Sequence, residues 1–134
     1  MRYIKYFRLF ESKHYEETYW EKNIDGERVR ITIQDIQDYL KNAPVIKVRV
    51  KDIEDMCVHK NKTDKGTLKR SQDSDLSFPI IISKDEKGEY NMILDGHHRL
   101  KKAVDNGIDD IEAKILDLGT SPVTYQSMFG SWGK

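Results

Sequence analysis

The sequence predicts a small α+β domain built from short strands and short helices, and three observations predict it. Two runs alternate as half-buried strands do, Val45-Ile46-Lys47-Val48-Arg49-Val50 and Tyr90-Asn91-Met92-Ile93-Leu94. A third, Phe78-Pro79-Ile80-Ile81-Ile82-Ser83, is continuously apolar and suits a strand buried on both faces. Before these runs and after them, apolar residues recur at helical spacing. With 134 residues the chain fits one domain with a modest core.

Taken in order, Met1 to Glu11 places Ile4, Phe7 and Phe10 at helical spacing, which reads as a short helix docking on the body. The alternative is a detachable targeting segment, because Leu9-Phe10-Glu11 resembles the cleavage signal of prohead proteases in large tailed phages. Thr18 to Glu21 and Arg28 to Ile33 flank Asn23-Ile24-Asp25-Gly26 and read as a β-hairpin. A helix is expected to begin at Thr32 or Gln34, carry Ile33, Ile36 and Leu40, and stop at Asn42-Ala43-Pro44. The strand Val45 to Val50 then turns Ile46, Val48 and Val50 inward, and Lys51 to Met56 reads as a short helical turn. From Cys57 to Ser77 no apolar period survives. That segment reads as a solvated connection, or as a flap over a polyanionic ligand through Lys60, Lys62, Lys65, Lys69 and Arg70.

Lys87-Gly88 turns the buried strand into Tyr90 to Leu94, with Tyr90, Met92 and Leu94 expected on one face. A helix from near His97 to Asn106 buries Leu100, Ala103 and Val104 and stops at Gly107, and Ile111 to Leu116 is a last strand. Tyr125, Met128, Phe129 and Trp132 belong to a tail that drapes over the domain or docks on a partner. The segments group as an N-terminal extension of helix, hairpin and helix (1–44), a central domain (45–118) and the tail (119–134).

Composition narrows the function classes. The 23 basic and 23 acidic residues cancel, with a sequence pI near 6.9, so a bulk electrostatic grip on nucleic acid is not indicated. The single cysteine, Cys57, excludes an internal disulfide and a multi-cysteine zinc site. No apolar run approaches membrane-spanning length and no signal-peptide core opens the chain. The expectation is a soluble cytoplasmic protein with no membrane partner, or one inside the virion if it is phage-encoded.

Chemistry concentrates at Asp95-Gly96-His97-His98-Arg99, where a strand runs into a helix. Glycine lets the backbone turn sharply, the first helical N–H groups point outward without internal partners, and a guanidinium stands beside them. Together these make a site for phosphate or another anion. Arg99 sits in a first helical turn, where the helix dipole disfavours a cation; a bound anion explains that placement, and an ion pair with Asp95 is the plainer reading. Asp95 reads as a helix N-cap or as a carboxylate holding Mg²⁺ or acting as a base beside phosphates. His97 and His98 diverge by about 100° on a helix and do not easily share a metal, so one is assigned to ligand and the other to structure. His14, His59 and Cys57 have no partner at a recognisable spacing and read as incidental.

The order of elements from Val45 to Leu116 resembles the ParB/sulfiredoxin superfamily, in particular the ParB-like N-terminal domain. The residues that carry the resemblance are Pro79-Ile80-Ile81-Ile82, Ile93-Leu94-Asp95-Gly96-His97-His98-Arg99-Leu100, Ala103 and Asn106-Gly107-Ile108. It implies a mixed sheet packed with short helices, whose glycine turn holds nucleotide phosphates. The family includes CTP-dependent partitioning clamps, ATP-using sulfinic acid reductases, nucleotide-dependent serine kinases and proteins labelled nucleases. By resemblance, Gly96 is the phosphate-turn glycine, Arg99 the phosphate-contacting arginine and His98 the turn histidine, and Glu54 is the nearest match to the catalytic glutamate of the kinase branch. The departures are equally specific. The reductases carry their cysteine where this chain has His97, partitioning clamps have two arginines at His98 and Arg99, and no helix-turn-helix domain is expected after Leu116.

The leading expectation is a nucleoside di- or triphosphate-binding domain, with Mg²⁺ as cofactor. Gly96, His97, His98 and Arg99 are its ligand-binding residues, and Asp95 and Glu54 are catalytic candidates for hydrolysis or phosphoryl transfer. The rival is a nucleic-acid-binding or nuclease module that uses the same turn and the lysines between Lys60 and Arg70 for backbone phosphate. A third reading is a catalytically silent phage interaction protein.

Overall fold

The computed structural model describes residues 18–130. The expected helix over Met1 to Glu11, the Leu9-Phe10-Glu11 signal, His14 and Trp132 lie outside the described residues.

Strands β1 (Tyr19–Ile24) and β2 (Glu27–Thr32) pair antiparallel around Asp25-Gly26, with Trp20 opposite Ile31. Both turn residues take positive φ, 52° at Asp25 and 83° at Gly26, which matches the turn to the twist of the hairpin. Thr32 ends β2 and caps helix α1 (Ile33–Tyr39). Its hydroxyl accepts from the Asp35 N–H at 3.0 Å while the Asp35 carboxylate accepts from the Thr32 N–H at 2.9 Å. This reciprocal cap lets strand pass into helix with no loop between them.

Strand β3 (Ile46–Arg49) leads directly into α2 (Val50–Ile53) and a 3-10 turn (Glu54–Met56). The expected inward trio is corrected: Val48 and Val50 are buried, Val50 as the first residue of α2, whereas Ile46 is exposed at the start of an edge strand. The segment 57–77 is also corrected, because helix α3 (Lys65–Gln72) fills its middle. Asp64 caps this helix, accepting from the Thr67 N–H at 3.0 Å and the Thr67 hydroxyl at 2.9 Å. The buried residues of α3 are Thr67 and Ser71, one turn apart, so there was no apolar period to read.

Strands β4 (Ile80–Lys84), β5 (Tyr90–Asp95) and β6 (Asp110–Asp117) join β3 in a mixed sheet of order β3-β6-β4-β5. β4 and β6 run parallel, and the outer pairs are antiparallel. The register of β5 slips twice against β4: Ile81 faces Asp95 while Ile82 faces Ile93, and Ser83 faces Met92 while Lys84 faces Tyr90. Each extra residue reverses the parity of the strand. Tyr90, Met92 and Leu94 therefore do not share a face: Tyr90 and Ile93 pack in one core cluster, Leu94 in the other, and Met92 is exposed.

Helix α4 (His97–Asp105) crosses between β5 and β6 and ends in a Schellman motif. Gly107, at φ 68°, donates to the Val104 carbonyl at 3.2 Å, and Ile108 donates to Ala103 at 2.9 Å. Leu100 and Ala103 are fully buried, with Val104 packed beside them.

The sheet separates two apolar clusters. Val48, Ile80, Ile82, Ile93, Leu100 and Ile111 belong to the cluster shared with α2 and α4. Ile31, Ile36, Leu40, Ile81, Leu116 and Phe129 belong to the other, shared with β2, α1 and α5 (Val123–Phe129). Adjacent isoleucines of β4 feed opposite clusters, which accounts for its unbroken apolar run. The tail as far as residue 130 folds onto the domain: Trp20 meets Phe129 edge-on at 5.1 Å, and Lys22 Nζ donates to the Ser127 carbonyl at 2.6 Å. No helix among the described residues is long and apolar enough to cross a membrane.

Candidate functional site

The turn between β5 and α4 is fixed by one steric fact. Gly96 sits at φ 105° and ψ 24°, and a Cβ there would collide with Ile80 Cγ2 and lie 2.8 Å from Ile80 Cβ. Ile80 is itself wholly buried in β4 and cannot give way. Position 96 therefore demands glycine on two independent grounds, backbone conformation and space. Gly96 is the N-cap of α4, and no side chain caps the helix. The ladder opens with the Leu100 N–H donating to the Gly96 carbonyl at 2.9 Å, leaving the N–H groups of His97, His98 and Arg99 ahead of it. The N-cap reading of Asp95 is corrected by the same geometry, because Asp95 is still the last residue of β5.

Among the described residues, this turn lines an open cleft of about 770 Å³. Asp95, Gly96, His97, His98 and Arg99 all contribute to its wall, and β5, Trp20, Val58 and His59 complete it. A smaller cavity of about 220 Å³ lies beyond Asp95 and Arg99, on the side of Gln37 and Leu40. Arg99 thus stands in the partition between two cavities. Its Nη2 donates to Asp95 Oδ2 and to the Pro79 carbonyl, each at 3.3 Å, and its buried Nε has no partner among the described residues. The ion pair with Asp95 is real and partly buried, and it leaves guanidinium capacity unused. Asp95 Oδ2 also accepts from Gln37 Nε2 at 3.5 Å.

The two histidines of the turn divide their work. Val58 N–H donates to His97 Nδ1 at 3.3 Å, and the Cys57 thiol donates to the His97 carbonyl at 3.3 Å. With Nδ1 accepting, the ring proton resides on Nε2. His97 is a latch that holds the segment after the 3-10 turn onto α4. Burial lowers its pKa, outweighing a backbone hydrogen bond at Ile93, and raises that of the Cys57 thiol. His98 instead pairs with α3: its Nδ1 lies 3.2 Å from the fully buried Ser71 hydroxyl. Its pKa is lowered by burial and then by the charges of Arg70 and Lys62.

His59 stacks on His98 with centroids 4.3 Å apart and 20° between planes, and it meets His97 edge-on at 5.9 Å. Its pKa falls to about 4, first through burial and then through His98, Lys62, His97 and Arg70. Nothing in the sequence groups His59 with the turn, since nearly forty positions separate them. A trace was present in α3, where Asp64 before Thr67 is a capping pattern and Thr67 and Ser71 mark one face with hydroxyls.

Glu54 is not brought to the turn. It lines a separate cavity with Arg49, Val104 and Gly107, and lies 3.9 Å from Lys60 Nζ. Asp95 is the only carboxylate of the main cleft, among the described residues. Those residues include no group of three or more His, Cys, Asp or Glu side chains able to hold a metal ion. Parallel stacking of His59 on His98 explains part of this, because stacked rings do not converge their nitrogens on one point.

Compared with known proteins, the chain matches no family model, no curated protein and no solved structure.

Proposed function

We propose that this protein is a ParB/sulfiredoxin-like domain that binds a nucleotide through its phosphates at the Gly96 turn. The observation that carries the reading is Gly96 itself, a helix N-cap that admits no side chain, with three N–H groups ahead of the helical ladder at a turn that lines the cleft beside Arg99. Backbone N–H groups and the dipole of α4 supply directional donors, the Arg99 guanidinium supplies neutralising charge, and His98, steadied by Ser71, orients the group. The apolar part of the cleft, with Trp20, Met92 and Val58, suits the nucleoside.

Mg²⁺ accompanying such a ligand would be held by phosphate oxygens with Asp95 as its protein carboxylate, in keeping with the few protein ligands Mg²⁺ needs when phosphates supply the rest. Asp95 is also the candidate base, since Glu54 lines another cavity. The nucleic-acid reading is less well supported, because Lys60 and Lys69 are occupied by Asp55 and Asp73 and do not form a free basic track.

A thermal-shift panel of ATP, ADP, CTP and GTP with Mg²⁺ tests the proposal. At least one nucleotide is expected to stabilise the wild-type protein, and His98→Ala to weaken that gain. Absence of any nucleotide-dependent shift in the wild type overturns it.

A further inference from the structure

The smaller cavity beyond Arg99 has a floor set by strand register. Ile81 of β4 is the partner of Asp95 on β5 and of Lys114 on β6, so the three lie in one row across the sheet. Directly paired residues project to the same face. Ile81 packs with Ile36 and Leu40 in the cluster shared with α1, which places Asp95 and Lys114 on that face too. They stand at either end of the row, about 10 Å apart at two strand spacings. Leu40, Phe78 and Pro79 complete the wall of the cavity of about 220 Å³, and Arg99 reaches it from α4.

The polar groups of this wall are not saturated. A guanidinium offers five N–H groups. Arg99 Nη2 donates to Asp95 and to the Pro79 carbonyl, while Nε and Nη1 have no partner among the described residues. Lys114 Nζ donates to the Leu40 and Lys41 carbonyls at 3.0 and 3.2 Å, which fixes the ammonium at the end of α1 and leaves it one N–H. No carboxylate pairs with Lys114 among the described residues. Asp95 is the counter-charge of Arg99 and the one carboxylate of the described wall, and its Oδ2 also takes Gln37. Two cations thus face one anion, and the cavity carries a net positive charge. The rest of the wall is apolar. Leu40 and Ile81 are buried, whereas Phe78 is 60 % exposed and belongs to neither apolar cluster. An exposed ring at the rim of a cavity is apolar area that a ligand can cover.

We infer that this cavity is a binding site for a small monocarboxylic acid with an apolar body. The carboxylate accepts from the unused N–H groups of Arg99 and is balanced by Lys114, and the body covers Leu40, Ile81 and Phe78. One net positive charge selects a monoanion. A space below the roughly 300–1,000 Å³ of drug-sized sites selects a small one. Lys114, Leu40 and Phe78 take no part in the nucleotide reading, and Asp95 and Arg99 form the wall between the two cavities.

Phenylacetate and isovalerate are the probes, with phenylacetamide as the uncharged counterpart and acetate as the carboxylate without a body. Each is titrated into the full-length protein at neutral pH and fixed ionic strength. The amide signals of Gln37, Leu40, Phe78 and Lys114 report the small cavity, and those of His97 and His98 report the main cleft. At least one probe is expected to shift the first set with a Kd of about 1 mM or tighter. Acetate and phenylacetamide should each bind at least ~10-fold more weakly than that probe. Phe78→Ala should weaken the probe ~5-fold; the side chain is exposed, so the fold is retained. Lys114→Gln should weaken the probe and leave phenylacetamide unchanged, and Lys114→Arg should restore the affinity. Phenylacetamide binding as tightly as the acids overturns the carboxylate assignment, and acetate binding as tightly overturns the apolar one. Shifts confined to His97 and His98, or no shift with either probe, overturn the site and leave the outcome of the nucleotide panel untouched.

Discussion

The two sides of the central sheet are held by different forces. On the side of β1, β2, α1 and α5 the contacts are apolar and aromatic: Ile31, Ile36, Leu40, Leu116 and Phe129 are buried together, with Trp20 edge-on to Phe129 and Tyr39 to Tyr125. On the other side α2 and α4 pack through Val50, Ile53 and Leu100, but α3 meets α4 through a hydroxyl and an imidazole, those of Ser71 and His98. Apolar packing is non-directional and cumulative, whereas a hydrogen bond contributes little net stability and much positional definition. The candidate site is built on the second kind of contact. The difference teaches that one face of the sheet joins apolar packing to the polar contacts that set the turn's geometry, whereas the other rests on apolar and aromatic packing.

The sharpest way to break the comparison is to remove matched groups from each side. Leu116→Ala on the aromatic side, where the residue is fully buried, is expected to cost about 2–5 kcal/mol in urea denaturation. Ser71→Ala on the α3 side, equally buried, should cost about 1 kcal/mol and act mainly by loosening His98. Equal losses would abolish the distinction. A cap on the aromatic side refines it: Thr32→Ala deletes one half of the α1 capping box and should cost about 1 kcal/mol without changing any ligand response.

The smallest effect is in pH. His59, His97 and His98 all have pKa values below the 6.5 of an unfolded chain, His59 at about 4. The unfolded protein therefore binds more protons between pH 6.5 and 4, and stability must fall as pH drops through that window. Denaturation midpoints measured across it should decline, and His59→Asn should flatten the slope. A decline unaffected by that substitution would assign it to carboxylates such as Asp64 and Asp75, whose pKa values hydrogen bonds to Thr67 and Ser77 hold low.

The aromatic side was the more legible of the two in the sequence. Alternation around Asp25-Gly26, the Thr32 cap, and Ile36 and Leu40 one turn apart each have a local cause, and each stands where expected. What escaped has nonlocal or polar causes. Two bulges in β5 each reverse its parity locally, and nothing in Tyr90 to Leu94 announces them. Helix α3 hides because its buried residues are Thr67 and Ser71, which apolar periodicity does not register. The turn Asp95 to Arg99 could be located from glycine, histidine and arginine spacing alone, but its neighbours could not. His59 arrives through the fold of the 57–62 segment, and Glu54 is carried off to another cavity by the 3-10 turn that contains it.

The latch on His97 has a kinetic consequence. The Cys57 thiol is 6 % exposed and donates to the His97 carbonyl, while the next residue donates to the imidazole of the same histidine. A maleimide or disulfide reagent can reach that sulfur only after both bonds have opened together. Since the chain contains one cysteine, its labelling rate counts the openings of a single joint, with no other thiol to confuse the signal. The wall of the cleft thus carries its own clock, and a ligand seated against His97 and His98 would slow it.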